Sequence, residues 1–151
     1  LFAEPSRVRP VRRHKGGWYF HHADSFAMRR GGHLDICVLG AVEVSAHGDL
    51  ANWGTGAADA MPAVGGAMDL AIGAKQVFVM MDLFTKKGES KLVAECSYPL
   101  TGLRCVSRVY TDVAVFDLDA DGATVLEMVE GMDIEQLREL TGLPLALAEG
   151  A

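Results

Sequence analysis

Ala63-Val64-Gly65-Gly66-Ala67-Met68-Asp69-Leu70 is followed by Ala71-Ile72-Gly73-Ala74-Lys75 and the apolar run Val77-Phe78-Val79-Met80. Two adjacent glycines enter a helix-like segment of small residues, Ala67 to Ala74, suited to lying tightly against a sheet. A core strand follows from Gln76 to Asp82. Glycines at such a junction let the backbone approach a ligand closely, and the first N–H groups of a helix face developing negative charge. Tight packing alone also explains a Gly-Gly pair, and the residues by themselves leave both readings open.

Leu34 to Gly40 is a short apolar run ending in glycine, as in a buried parallel strand. Val42 to Ser45 alternates, and His47-Gly48-Asp49 supplies a turn. Asn52 to Gly66 is rich in Gly, Ala and Asp and reads as a loop. Thr85 to Ser90 is a polar turn. Cys105 to Leu118 predicts one or two strands, Asp119 to Gly122 a hairpin turn, and Thr124 to Val129 the return strand. Asp133 to Leu140 predicts a helix capped by Asp133, with Ile134, Leu137 and Leu140 on one face and Gly142 with Pro144 as the stop. Strands mixed with short helices predict an α/β domain with an open, mainly parallel sheet and flanking helices. Ligands of such sheets bind beyond the strand C-terminal ends, and the Asn52–Gly66 loop is a candidate for that rim.

The chain has 151 residues, half of them apolar, enough for one domain with a substantial core. Its net charge of −6 is unevenly spread: seven Arg or Lys against Glu4 and Asp24 leave about +5 in residues 1–30 and about −11 in the rest. An acidic body argues against nucleic acid as the partner. The basic run Arg7, Arg9, Arg12, Arg13, His14 and Lys15 reads as a mobile solvated terminus, so residues 1–17 are set apart from the domain at 18–151. Cys37, Cys96 and Cys105 form no Cys-x-x-Cys pair and suit free thiols in a reducing compartment. No apolar run reaches membrane-spanning length, and the expectation is a soluble cytoplasmic protein without a membrane partner.

Several stretches carry a resemblance. Arg30-Gly31-Gly32-His33-Leu34-Asp35, Gly48-Asp49-Leu50-Ala51-Asn52-Trp53, Val64 to Leu70, and Tyr98-Pro99-Leu100-Thr101-Gly102 resemble the second of the two subunits of the family I CoA-transferases. His21-His22-Ala23-Asp24-Ser25-Phe26-Ala27-Met28, Asp59 to Ala63, and Val109 to Asp112 narrow the resemblance to 3-oxoadipate CoA-transferases. The likeness runs from Trp18 to Leu145. It implies a CoA-transferase-like fold, whose relatives also include sugar-phosphate isomerases and ligand sensors, so the architecture alone does not settle function.

The implied reaction moves CoA from succinyl-CoA to a 3-oxo acid through an enzyme glutamyl-CoA thioester, in a hetero-oligomer with the family's first subunit. CoA thioesters are substrates, and no cofactor or metal is implied. Each step passes through a tetrahedral oxyanion, and the resemblance places the backbone of Gly65 and Gly66 at that charge. Asn52 either offers its amide to CoA or fixes a loop. His21 and His22 either receive the distal carboxylate of the substrate or form ordinary loop hydrogen bonds. The family nucleophile lies in a Ser-Glu-Asn-Gly stretch that this sequence lacks, and the chain starts at Leu1. The expectation is therefore a C-terminal part of the second subunit, inactive alone. The alternative is a truncated paralogue that binds the first subunit or an acyl-CoA without turnover. Leu83 stands where the family often has histidine, which bears on specificity.

Other chemistries lack a pattern. The five histidines and three cysteines show no metal-ligand spacing. Ser25 lies outside any Gly-x-Ser-x-Gly stretch, and no activating motif marks Cys96. Lys86, Lys87 and Lys91 fit either CoA phosphates or a solvated loop.

Overall fold

A computed structural model of the protein describes residues 14–54 and 65–149. The chain order is helix α1 (His22–Arg30), strands β1 (Leu34–Leu39), β2 (Glu43–Ser45) and β3 (Leu50–Ala51), helix α2 (Ala67–Gly73), strands β4 (Ala74–Met80), β5 (Leu92–Val93), β6 (Val106–Tyr110), β7 (Ala114–Leu118) and β8 (Ala123–Met128), helix α3 (Ile134–Thr141) and strand β9 (Ala146–Leu147). The basic run up to Arg13, and residues 55–64 of the expected loop, lie outside the described residues.

Six strands form one sheet in the order β1-β4-β6-β7-β8-β9, and β3-β2-β5 form a smaller one. The large sheet is mixed, parallel at β1–β4, β4–β6 and β8–β9 and antiparallel across β6–β7–β8. The α/β reading with flanking helices therefore holds, and parallel pairing prevails at three of five junctions. The antiparallel portion follows from short turns: β6, β7 and β8 are joined by only a few residues, too few for a parallel crossover. Asp119 shapes the β7–β8 turn by accepting from the N–H groups of Asp121 and Gly122.

The core lies between the two sheets and runs on toward α3. Val44, Leu50 and Leu92 of the small sheet belong to one cluster with Val77, Val79, Val109, Phe116, Val125 and Leu137. Apolar residues at alternate positions of β4, β6, β7 and β8 produce it, because a strand presents every second side chain to one face. Helix α2 follows directly into β4, burying Leu70, Ala71 and Gly73. Gly73 presses on the backbone of Arg29 and Arg30, where a Cβ would collide with the Arg29 carbonyl oxygen. The tight approach permitted by Gly73 is therefore to α1, while α2 also borders β1 and β4.

Helix α3 matches its expected signals closely. Asp133 and Gln136 form a reciprocal capping box, and Gly142 closes the helix at φ 70°. Leu140 is a correction: it is 52% exposed, and Thr141 rather than Leu140 shares the inner side with Ile134 and Leu137. A step of three residues falls about 60° short of a full turn, so two such steps rotate Leu140 out of the buried stripe. Strand β1 also departs from expectation. It pairs in parallel as read, yet only Cys37 is buried along it.

Candidate active-site groove

The histidine pair opens helix α1. His21 is its N-cap, with Nδ1 accepting from Ala23 N–H at 3.3 Å. His22 is its first residue and packs against Phe26, ring centroids 4.6 Å apart. The Arg29 guanidinium lies over the same Phe26 ring at 4.7 Å. The two histidines therefore diverge, one turned to its own helix and the other to a groove.

That groove, about 430 Å³, lies between α1 and the entry to α2 and is lined by His22, Phe26, Arg30, Gly65, Gly66 and Asp69 together with Ala23. The size is within the range of small-molecule clefts. Gly65 takes φ +58°, a left-handed conformation that glycine adopts at no steric cost, and space is open where a Cβ would lie. Gly66 is the N-cap of α2 and offers no side-chain cap, so the first-turn N–H groups have no such partner. Arg30 clamps Asp69 through two bonds, Nε to Oδ1 at 2.7 Å and Nη2 to Oδ2 at 3.1 Å. The hydrogen bond from Arg30 lowers the Asp69 carboxyl below its ordinary value, and the same bond raises the guanidinium. With Arg30 and Asp69 neutralising each other, the groove offers backbone donors and one imidazole. Sequence reasoning does not single out Arg30 and Asp69 as site residues, although both stand in the motif stretches that carry the resemblance.

Asn52 lies apart from this groove and has a bracing position. Its Nδ2 donates to the Gly40 carbonyl at 3.2 Å, and its Oδ1 accepts from the Thr101 hydroxyl at 2.6 Å. Asn52 N–H donates in turn to Thr101 Oγ1, and Trp53 Nε1 donates to the Leu100 carbonyl. Leu50 exchanges backbone bonds with Thr101 and Gly102. A few residues earlier, Asp49 accepts from Ser45 Oγ and from Arg104 N–H. Gly48, at φ +87°, lies so close to β6 that a Cβ would sit 2.5 Å from the Val106 carbonyl oxygen. The two motif stretches around Asp49 and Thr101 thus form one clasp. Thr101, 3% exposed, is its centre, a role that no pattern in the sequence marks.

A second groove, about 550 Å³, opens where β1, β4 and β6 end, between Gly40, Met80, Asp82, Lys91, Tyr110 and Asp112. Its position agrees with the rule for open α/β sheets. Leu83 does not face it: the side chain is fully buried, while its N–H donates to Asp112 Oδ1 at 2.9 Å. What stands at this position is a packing group. The three cysteines are free. Burial, followed by the charges of Glu43 and Asp49, pushes the Cys96 thiol up to about 12, and burial pushes Cys105 up to about 11. Neither is poised as a nucleophile. Among the described residues no three His, Cys, Asp or Glu side chains converge as a metal site, and no helix is long and apolar enough to cross a membrane.

The family model described as "Coenzyme A transferase" matches residues 7–140. The chain is 65% identical over 130 residues to the second subunit of the 3-oxoadipate CoA-transferase of Pseudomonas putida, covering 86% of this chain and 61% of that protein. It is 48% identical over 126 residues to the corresponding subunit of the succinyl-CoA:3-ketoacid coenzyme A transferase of Helicobacter pylori, covering 83% and 60%. Among solved structures, an acyl-CoA transferase from Escherichia coli O157:H7 aligns with a TM-score of 0.70 at 21% identity, over 85% of this chain and 29% of that one, and shows the shared fold. The chain spans about three fifths of the length of the curated relatives it matches. With a family match across most of its length and the same fold in the acyl-CoA transferase, the chain belongs to the coenzyme A transferase family.

Proposed function

We propose that this chain is part of a second subunit that, completed and paired with the family's first subunit, moves CoA from succinyl-CoA to a 3-oxo acid, with 3-oxoadipate preferred. The observation that carries the reading is the 65% identity to a 3-oxoadipate CoA-transferase, against 48% to a 3-ketoacid enzyme. In the proposed reaction a glutamate carboxylate attacks the succinyl thioester carbonyl and expels CoA thiolate, leaving a mixed anhydride. The thiolate then attacks the glutamyl carbonyl, giving the enzyme thioester and free succinate. The 3-oxo acid carboxylate reverses these steps and leaves as its CoA ester.

Each attack develops an oxyanion, for which we assign the backbone N–H groups at Gly65 and Gly66. One such donor contributes about 3–4 kcal/mol in other enzymes. His22, on the same groove, is assigned to the distal carboxylate of the acceptor. His21 and Asn52 hold, respectively, the start of α1 and the clasp, and act on substrate through position. CoA is a substrate here, so no further cofactor enters. A cytoplasmic location fits the free thiols.

The test replaces the matched 130 residues of the Pseudomonas putida second subunit with those of this chain and assays the product with the first subunit of that enzyme. Exchange between succinyl-CoA and 3-oxoadipate, faster than with acetoacetate, is expected. Gly66→Pro, which deletes one N–H, should lower kcat about 10²–10³-fold with unchanged far-UV circular dichroism. A chimera that folds and assembles without exchange would sink the reading and favour a non-catalytic binding module. The isolated 151-residue chain should show no exchange, because oxyanion donors without a nucleophile form no covalent intermediate; turnover by it alone would refute that statement.

A further inference from the structure

Helices α2 and α3 treat the same backbone group in opposite ways. A side chain at the third position of a helix can reach back and accept from the N–H of the capping residue. In α3 that bond is made: Gln136, third in the helix, accepts from Asp133 N–H at 3.1 Å. In α2 the third residue is Asp69 and the capping residue is Gly66. Here both carboxylate oxygens are taken by Arg30 of α1 instead, Oδ1 by Nε at 2.7 Å and Oδ2 by Nη2 at 3.1 Å. Among the described residues no side chain accepts from Gly66 N–H.

Packing builds this diversion of Asp69. Gly73 lies so close to the end of α1 that an added Cβ would stand 3.1 Å from the Arg30 Cα. Arg30 is thus fixed beside the far end of α2, and its side chain spans back to the first turn. An exposed ion pair adds little to stability, so its importance lies in where it holds the carboxylate. Asp69 is the more enclosed partner, with 28% of its side chain exposed against 60% for Arg30. Without the guanidinium, the carboxylate stays at the groove that His22, Gly65 and Gly66 also line. Its charge is then unopposed, and its oxygens can turn to Gly66 N–H.

We infer that Arg30 is a positioning residue for the CoA transfer: by holding both Asp69 oxygens it keeps Gly66 N–H open and leaves the groove without an unbalanced negative charge. It acts through Asp69 and touches no reacting atom. The inference rests on the assignment of the oxyanion to the Gly65 and Gly66 backbone, and adds what keeps those donors available. Loss of Arg30 has two consequences. Asp69 fills a donor that each tetrahedral oxyanion needs, and its charge repels the same oxyanion.

The test uses the chimeric second subunit with its first subunit, and the 151-residue chain by itself. In the chimera Arg30→Gln should lower kcat by about tenfold to a hundredfold with little change in KM. Adding Asp69→Ala to Arg30→Gln should restore most of that loss, because the interfering carboxylate is gone. A simple tether between α1 and α2 predicts otherwise: Asp69→Ala alone loses as much as Arg30→Gln, and the double variant recovers nothing. That pattern would overturn the inference. If the parent chimera shows no exchange of CoA, the functional reading fails, and the chain itself decides whether Arg30 controls Asp69. There, hydrogen exchange at the Gly66 amide, followed by nuclear magnetic resonance, should slow about tenfold in Arg30→Gln as Asp69 takes the N–H. It should return to the parent rate in the double variant, and equal rates in all three would overturn the inference. Should Arg30→Gln lose the circular dichroism of the parent, Arg30→Lys replaces it in both measurements with the same expected directions. An ammonium keeps the charge but lacks the fork that holds both oxygens.

Discussion

Thr101 shows how much a single hydroxyl can hold. It donates to Asn52 Oδ1 and accepts from Asn52 N–H while almost wholly buried. Thr101→Val keeps the volume and leaves both Asn52 groups without their partner, so stability should fall by about 1–3 kcal/mol in urea titration. Gly48→Ala should cost about 2–3 kcal/mol, from a left-handed φ together with contact on the Val106 carbonyl. Gly65→Ala should cost less, about 1–2 kcal/mol, because its φ is strained for alanine but its surroundings are open. A Gly65→Ala loss exceeding that of Gly48→Ala would contradict the packing described. The residue scale also sets a pH dependence. Cys96 and Cys105 keep their protons in the folded chain well above the ordinary value of 9.0. The unfolded chain loses them first, so stability contributed below pH 9 is lost as pH rises toward 11–12. Urea midpoints should decline across that window, and a Cys96→Ala/Cys105→Ala variant should flatten the decline.

At the scale of elements, legibility follows how local the determinants are. Helix α3 is readable because its cap, its capping-box partner and its left-handed glycine all lie within about ten residues. Asp133→Ala should therefore cost about 1 kcal/mol, measured as a shift in the thermal midpoint by circular dichroism. Helix α1 is harder to see because only Phe26 is buried along it, leaving no apolar stripe to detect. Its boundary signals are nonetheless present: Asp24 in the first turn, Arg29 and Arg30 in the last, then Gly31. Strands β3, β5 and β9 have two residues each and exist only through their partners, so no window of sequence marks them. For the groove, the Gly65-Gly66 pair is legible as a close-approach point. Its pairing with His22 and the Arg30–Asp69 clamp depends on α1 meeting α2, a contact no local pattern announces.

At the scale of the molecule, cohesion is uneven. The clustered side chains of β4, β6, β7, β8 and α3 join both sheets, whereas β1 buries only Cys37 and α1 only Phe26. Native-state hydrogen exchange should follow this order, with α1 and β1 opening well before β6 to β8. Equal protection in β1 and β7 of the isolated chain would contradict it. The gradient matters for the proposed chemistry, because the groove is walled by α1, the less secured element.

The clasp around Thr101 has a consequence in time. Its bonds between the two stretches join residues 47 to 55 positions apart, from Trp53 to Leu100 and from Asp49 to Arg104. Closing a loop of that length costs about 3.5 kcal/mol of chain entropy before any bond is made. Such contacts are expected to wait until the hydrophobic sheet has drawn the two stretches together. Stopped-flow measurements on Thr101→Val should accordingly show faster unfolding and a refolding rate close to that of the parent, so the clasp governs how long the folded chain lasts more than how soon it forms.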